Sequence, residues 1–251
     1  MDTTRGIDIS VVITAHHEGR LAHHTMRSLF RAKDYASQRG LEIEIIIVLD
    51  RANQATNDYF SSYHGSGIAV ETADFGDLGL SRNFGIGLTS GRYVGIMDAD
   101  NLIGRNWLYE AVLHLRRSSR PVIAHPEYQM VFEKRNFVFR QISSTDDRFR
   151  ISNIIEYNYW DAVCVTNRDI FLKCPYESTT RTQGFGFEDW HWNCQTLSEG
   201  IEHHVVPDTV HFMREKRSGS LLSYSREGNR IIRPSRLFDP SLFSRLIRAE
   251  G

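Results

Sequence analysis

The sequence predicts an α/β fold in which a mostly parallel central sheet carries helices on both faces. Short runs rich in isoleucine and valine alternate, along the first half of the chain, with segments whose apolar residues recur at helical spacing. Polar residues follow each apolar run, as they do where a buried strand reaches the edge of a sheet. Strands that alternate with helices pair in parallel through crossover connections, so this order predicts one sheet covered on both sides. A chain of 251 residues is long enough to bury such a core.

The N-terminal elements alternate without interruption. Residues 9–14 form a β-branched run that predicts the first strand, and residues 20–39 have the apolar spacing of a helix. A second buried strand is predicted at residues 43–49, followed by a polar helix at 54–63 and a short strand at 68–71. This order of strands and helices is the one that a parallel sheet requires.

A fourth predicted strand completes this regular half of the chain. A helix over residues 80–88, closed by Gly91, precedes it, and the strand itself covers residues 93–97. Ligands of such sheets bind at the carboxyl ends of the strands, where loops and helix N-termini converge. The residues that stand at those ends are His16, Asp50 and Asp98.

The second half of the chain is less regular. A helix is predicted at residues 106–117 and a strand at 122–124, and residues 128–142 alternate as a hairpin does. Further helices are predicted at residues 151–157 and 187–198. We therefore expect the C-terminal part of the fold to be the more irregular one.

Composition excludes several classes of protein. The formal net charge of −1 gives no attraction to nucleic acid. The three cysteines are odd in number and never form a CxxC pair, so they predict neither a disulfide framework nor a zinc ribbon. No segment has the length of a membrane-spanning helix. We expect a soluble, cytoplasmic protein, and the basic tail leaves association with the cytoplasmic face of a membrane open.

Two carboxylates follow the fourth strand, in the segment Asp98-Ala99-Asp100. In an extended segment, residues two apart point to the same side, so both carboxylates can hold one ion. Hard oxygen ligands suit Mg²⁺ or Mn²⁺, and such an ion can bridge a diphosphate. The alternative is a solvated acidic turn, because tripeptides of this kind are common. The position at a strand end favours the metal site.

Four segments stand in the order found in a known family. They are residues 11–16 (VVITAH), 48–50 (VLD), 79–85 (GLSRNFG) and 95–100 (GIMDAD). In this order they resemble the inverting family 2 glycosyltransferases of the GT-A fold, and the resemblance resumes at residues 184–190 and 210–212. The sequence departs from the family at residues 15–18, where Pro-x-Tyr-Asn is more frequent, and at Arg51, where a second aspartate is common.

The resemblance implies a GT-A-like fold that binds a nucleotide-sugar donor. Asp50 would accept the imide N–H of uracil, which makes uridine the expected base. Arg82 and Asn83 would lie near the diphosphate or the donor sugar, and a basic segment at residues 214–220 would close over the diphosphate. Roles in turns and helix caps are the alternative for Asp50 and Asn83. The expected donor-binding residues are Thr14, Ala15, His16, Glu18, Asp50, Arg82, Asn83, Asp98, Ala99 and Lys216.

The resemblance also implies a metal site and a catalytic base. Mn²⁺ or Mg²⁺ would be held by Asp98, Asp100 and His211. Asp189 would take the proton from an acceptor hydroxyl and Glu188 would contact the acceptor, with the reverse assignment left open. Stabilisation of the helix dipole is the alternative for these two acids, whose aromatic neighbours favour a sugar site.

These inferences predict one GT-A-like catalytic domain at residues 1–215, with a nucleotide-sugar-binding half at about 1–105 and an acceptor half at 106–215. Residues 216–251 would form a basic loop and helix extension. The expected reaction is metal-dependent, inverting transfer from a nucleoside-diphosphate sugar, with a UDP-sugar favoured, to a glycan or lipid-linked saccharide. Two alternatives stay open, a non-catalytic sugar- or nucleotide-binding module of a longer glycan-assembly chain and a sugar nucleotidyltransferase. The latter would need a glycine-rich basic loop after the first strand, where residues 15–19 are acidic.

Overall fold

The computed structural model describes residues 6–179, 183–216, 225 and 227–249. The strands are β1 (Ile9–Ala15), β2 (Ile43–Asp50), β3 (Ala69–Ala73), β4 (Tyr93–Asp98), β5 (Leu102–Ile103), β6 (Val122–Glu133), β7 (Phe137–Arg140), β8 (Cys164–Asn167), β9 (Phe185–Gly186), β10 (Glu202–Glu215) and β11 (Ile231–Ile232). The α-helices are α1 (Ala22–Ser37), α2 (Gln54–Ser61), α3 (Leu78–Gly87), α4 (Trp107–Arg117), α5 (Arg168–Lys173), α6 (Glu188–Ser198) and α7 (Pro240–Ala249). Short 3₁₀ segments lie at Gly19–Leu21, Ile151–Ile155 and Arg236–Phe238.

The main sheet has the strand order β3-β2-β1-β4-β8-β6-β10-β5, and β7 pairs with β6. Within the described residues, β1, β2, β3, β4, β6 and β10 run in one direction, whereas β5, β7 and β8 run in the other. The strands β9 and β11 pair with each other separately. The predicted α/β fold with a mostly parallel sheet is confirmed.

Helices cover both faces of the sheet because both faces of its central strands are apolar. Val11 of β1 belongs to one buried cluster with Met26 of α1 and Ala111 of α4. Its neighbour Val12 points to the other face and belongs to a second cluster with Ile86 of α3. Successive residues of a strand alternate between faces, so β1 contributes to both layers of the core.

Helix α3 lies very close to the sheet at Gly85. A Cβ atom at this residue would lie 2.4 Å from Cγ1 of Val12 and 3.0 Å from Cγ2 of Val48, so glycine is what allows the helix to reach β1 and β2. The close approach brings Ser81 and Arg82, one turn earlier, to carboxylates at the strand ends.

The second half departs from the prediction in its element boundaries. Strand β6 runs without a break, so the predicted strand at 122–124 and the first arm of the predicted hairpin are one strand. Residues 151–155 form a 3₁₀ segment instead of an α-helix. Strand β8 and helix α5 have no counterpart in the prediction, because four and six residues are too few to display a period.

The predicted role of Gly91 in closing a helix is wrong. Helix α3 ends at Gly87. Gly91 lies against the start of β1, where a Cβ atom would be 2.6 Å from the backbone nitrogen of Ser10, so its small size serves packing.

Helix α7 packs on the second half of the chain. Phe243 and Leu246 of this helix join an apolar cluster that contains Ile154, Trp190 and Leu237. The predicted C-terminal helix therefore shares an apolar cluster with Trp190, in the first turn of α6.

The predicted basic closing segment is described only in part. Arg214 and Lys216 lie within the described residues, whereas Arg217 and residues 218–220 lie outside them. None of the described helices combines the length and the hydropathy needed to cross a membrane.

Candidate active site

A cleft of about 720 Å³ opens at the carboxyl ends of β1, β2 and β4. Residues from both halves of the chain line it, because α6 and the end of β10 close its far side. The predicted site residues in its wall are Thr14, Ala15, His16, Glu18, Asp50, Arg82, Asp98, Asp100, Glu188, Asp189 and Lys216. The structure thus brings most of the predicted residues to one space, and their individual roles stay predictions.

Arg82 joins the two halves of the cleft. Its guanidinium Nη2 donates to Oδ1 of Asp98 and its Nη1 to Oε1 of Glu188, each at 2.9 Å, and its side chain is 1% exposed. Burial alone would lower the pKa of Arg82, but these two carboxylates outweigh burial and raise it well above its ordinary value. The guanidinium is therefore a permanent buried cation between the two acids.

Asp100 is paired with a different cation. Its Oδ2 lies 2.7 Å from Nζ of Lys216, which also lies 3.3 Å from Oε1 of Glu18. Burial raises the pKa of Asp100 to about 6, with Lys216 acting against that shift. Asp98, by contrast, shares its Oδ1 between Arg82 and the hydroxyl of Thr14, which donates at 3.3 Å.

His211 is a buried imidazole close to these acids. It is fully buried, and within the described structure neither ring nitrogen has a hydrogen-bond partner. Its Nε2 lies 3.8 Å from Oδ1 of Asp161, and burial lowers the pKa of His211, so the ring is neutral and can offer a lone pair.

The donor set fits a divalent cation in kind but does not form a closed metal site in this structure. Two carboxylates and an unpartnered neutral imidazole are acceptable ligands for Mn²⁺. No group of three or more such side chains within the described residues has the arrangement that holds an ion. Lys216 lies on Asp100, so its ammonium occupies one of the positions that an ion would need.

Asp50 organises a loop. Its Oδ1 accepts from the backbone N–H groups of Phe75 (2.8 Å) and Gly76 (2.9 Å), and its Oδ2 accepts from the N–H of Asp77 (3.1 Å) and the hydroxyl of Ser81 (2.7 Å). A carboxylate accepts about four hydrogen bonds in all. The predicted contact between Asp50 and the imide of uracil is therefore not supported by this geometry, because the acceptor positions are occupied.

Three predicted residues do not line the cleft. Asn83 is held by the backbone of Tyr176, to which its amide both donates (2.8 Å) and accepts (2.9 Å). Ala99 is buried in the core, and its N–H donates to the carbonyl of Thr14. His211 is fully buried and its Nε2 lies 3.8 Å from Oδ1 of Asp161, which does line the cleft. Direct donor contacts by Asn83 and Ala99 are not supported by these positions.

The two acids of α6 have unequal surroundings. Glu188 is buried and paired with Arg82, which opposes the effect of burial on its pKa. Burial, followed by the negative charges of Glu188 and Asp161, raises the pKa of Asp189 to about 8. Once ionised, Asp189 is therefore a much stronger base than an ordinary aspartate.

The turn before α6 aims these acids. Phe187, directly before the helix, has a φ of 56°, in the left-handed region that few non-glycine residues adopt. Such a conformation persists only where surrounding contacts hold it. At Phe187 it turns the chain so that α6 begins at the cleft.

Several cleft residues had no signal in the sequence. His17 stacks on His16, with 3.7 Å between ring centroids, at the open side of the cleft. Asp161 stands just before β8, a strand that periodicity does not predict, and Met213 belongs to a β10 that is longer than its apolar run. The position of Asp161 follows only from the pairing of β8 with its neighbours.

Solved structures share this fold. S. aureus TarS 1–349 in complex with UDP-GlcNAc is 14% identical to the chain, with a TM-score of 0.68, and the match covers 86% of this chain and 61% of that one. The same TarS fragment in complex with UDP is 14% identical, with a TM-score of 0.64 and coverage of 84% and 61%. The chain thus spans 61% of the length of these TarS chains. None of the curated proteins matches it in sequence.

A family model described as glycosyl transferase family 2 matches residues 10–174. The matched segment runs from β1 to the end of α5 and contains Asp50, Arg82, Asp98 and Asp100. It covers more than half of the chain and includes β1, β2 and β4, at whose carboxyl ends the cleft opens. The chain therefore belongs to glycosyl transferase family 2.

Proposed function

We propose that the chain catalyses metal-dependent, inverting transfer of a sugar from a UDP-sugar to a hydroxyl of a glycan or lipid-linked acceptor. The observation that carries this proposal is one cleft lined by Asp98, Asp100 and Asp189. In it, the guanidinium of Arg82 bridges Asp98 to Glu188, the residue next to Asp189. A diphosphate needs positive charge beside it, and a hydroxyl nucleophile needs a base. The two requirements meet on opposite walls of this cleft.

The donor side offers the ligands and the cations that a nucleoside diphosphate requires. Asp98, Asp100 and His211 would hold Mn²⁺ or Mg²⁺, which when bound would neutralise charge on the diphosphate. The long, flexible side chain of Lys216 can turn from Asp100 to a phosphate oxygen once Asp100 binds the metal ion. UDP and UDP-GlcNAc are the ligands of the TarS structures with this fold, which supports a uridine donor.

The acceptor side offers a base. Asp189 accepts the proton of the acceptor hydroxyl while the oxygen attacks the anomeric carbon from the face opposite the leaving diphosphate, so configuration inverts. A carboxylate with a pKa of about 8 is a much stronger base than an ordinary aspartate. Burial raises the pKa of Glu188 and the charge of Arg82 opposes that shift, while the negative charge of Glu188 contributes to the raised pKa of Asp189.

Nucleotide binding tests the donor half of the proposal. Titration calorimetry with UDP, GDP and CDP, with and without Mn²⁺, should give Mn²⁺-dependent binding of UDP. The variant Asp98→Ala/Asp100→Ala should lose that dependence, whereas Asp58→Ala, which removes an exposed carboxylate on α2, should bind as the native chain does. If no nucleotide binds with any metal, the donor assignment is wrong and a non-catalytic module becomes the better interpretation.

The stereochemistry of transfer tests the mechanism. UDP-GlcNAc has an α-anomeric bond, so inverting transfer to short glycan acceptors should give a β-linked product, which proton NMR identifies from the coupling of the anomeric proton. An α-linked product would contradict single displacement and with it the role of Asp189 as base.

A further inference from the structure

Asp189 has a neutral hydrogen-bond donor from outside its own helix. Nδ2 of Asn158, in the loop before β8, lies 3.2 Å from Oδ2 of Asp189. Asn158 is itself held by α6, because Nδ2 of Asn193 donates to its Oδ1 at 2.9 Å. Two asparagine amides thus form a chain that ends on one oxygen of the candidate base.

The direction of this chain is fixed by a backbone carbonyl. The oxygen and nitrogen of an asparagine amide are distinguished by their partners. Nδ2 of Asn193 lies 3.3 Å from the carbonyl oxygen of Trp160, which can only accept, so Asn193 must turn its NH₂ group that way. The same NH₂ group faces Asn158, so the side-chain oxygen of Asn158 accepts from it. The NH₂ group of Asn158 therefore points at Asp189.

The anchor of the chain is rigid. Trp160 is 2% exposed, and its indole Nε1 donates to the carbonyl of Ile142 at 2.8 Å. Its ring stacks on that of His203, with 4.1 Å between centroids, and Asn193 is 1% exposed. A packed and hydrogen-bonded support of this kind holds a reacting group within the narrow range that catalysis tolerates.

We propose that Asn158 is a positioning residue for the transfer reaction, which donates an N–H to Oδ2 of Asp189 and so turns Oδ1 toward the acceptor hydroxyl. Asn193 and the carbonyl of Trp160 set the direction of that donation. The inference rests on the proposed function, in which Asp189 is the base. An amide suits this task because it orients the carboxylate without bringing a positive charge beside it, which would weaken the base.

The test compares Asn158 with Asn153, an asparagine of the preceding 3₁₀ segment. Asn158→Leu keeps the approximate volume and removes the donor, and we expect kcat to fall by about 10- to 100-fold, as for other residues that orient a reacting group, with KM for the UDP-sugar unchanged. The matched control is Asn153→Leu, since the partners described for the Asn153 side chain are Tyr157, whose hydroxyl lies at 3.4 Å, and Tyr159, and not Asp189. The control should keep native kcat and KM.

A second variant tests the direction of the chain. Asn193→Asp is nearly isosteric, and its ionised carboxylate cannot donate to Asn158, so at a pH where it is ionised the Asn158 amide should turn its oxygen toward Asp189 and repel it. We expect a loss of kcat like that of Asn158→Leu, and the double variant should be no slower than the slower single variant, because both act through one contact. Thermal unfolding and UDP binding of each variant establish that it is folded.

The outcomes separate the inference from the function on which it rests. Asp189→Asn without turnover, combined with Asn158→Leu at native kcat, would overturn the positioning role alone. Asp189→Asn with native turnover would overturn the proposed function and the inference with it. Equal losses in Asn158→Leu and Asn153→Leu would assign the effect to loop packing and also overturn the inference.

Discussion

Asp50 and Asp189 lie in the same cleft and have opposite surroundings. Asp50, on the donor side, accepts four hydrogen bonds from one loop and the start of α3. Asp189, on the acceptor side, accepts one side-chain hydrogen bond and faces two further acids. Asp50 is thus surrounded by hydrogen-bond donors, whereas burial and neighbouring negative charges destabilise the ionised form of Asp189. The comparison teaches that two acids of one cleft can differ sharply in the number of donors around them, and this difference supports Asp189 as the proposed base.

The largest effect expected from this contrast is on turnover at Asp189. Asp189→Asn removes the base and should lower kcat by about 10³- to 10⁴-fold, with binding of UDP retained. Sugar transfer and calorimetry on the same preparation measure both quantities. Native kcat in this variant would show that Asp189, the acid with few hydrogen-bond donors, is not the base.

The next largest effect is expected on stability, at the ion pairs by which Arg82 joins Asp98 to Glu188. Arg82→Met leaves Asp98 and Glu188 without their buried cation, so the free energy of unfolding should fall by about 3–5 kcal/mol. Chemical denaturation followed by circular dichroism measures the change. The control is Arg51→Met, which breaks an exposed pair with Asp74 and should leave the free energy of unfolding close to that of the native chain. Similar losses in both variants would argue against a buried bridge.

Asp50 should contribute to stability more than to chemistry. Asp50→Asn replaces one accepting oxygen by an NH₂ group that faces N–H or O–H donors, so unfolding free energy should fall by about 1–3 kcal/mol. Asp74→Asn, on an exposed carboxylate next to the same loop, is the control for denaturation. If Asp50→Asn unfolds like the native chain, its four contacts do not hold the loop in solution.

The smallest expected effect is the dependence of kcat/KM and of stability on pH that Asp189 should produce. Because Asp189 must be ionised to act as base and its pKa is about 8, kcat/KM should rise about tenfold per pH unit below 8 and level off above it. The raised pKa means that Asp189 binds its proton more tightly in the folded chain than in the unfolded one. The contribution of Asp189 to the free energy of unfolding therefore falls as pH rises from about 4 to 8. Asp189→Asn should therefore raise the unfolding temperature at pH 9. A pH profile flat from 6 to 9 would contradict the assignment.

The regular half of the fold could be predicted because its signals are local. Runs such as 43–49 are buried on both faces and end in polar residues, so strand ends, and with them Asp50 and Asp98, follow from the sequence. Arg82 comes to those ends because Gly85 lets α3 approach β1, and a short motif encodes both residues.

The contacts that distinguish the acids could not be predicted in this way. The four donors of Asp50 depend on the backbone path of residues 75–77, which no periodicity describes. The distance between His211 and Asp161 depends on the register of β10 against β6, which shifts between Val206 and Val210. Pairing across such separations is set by packing of the whole sheet.

The bridge from Arg82 to Glu188 also limits how members of this family can exchange parts. Its two residues are 106 positions apart, on either side of the boundary that the sequence predicts between a donor half and an acceptor half. A recombined gene that joins the first half of one parent to the second half of another inherits the arginine and the glutamate separately. Crossovers near residue 106 should therefore give folded chimeras only between parents that carry both partners, so that altered acceptor choice is inherited together with this ion pair.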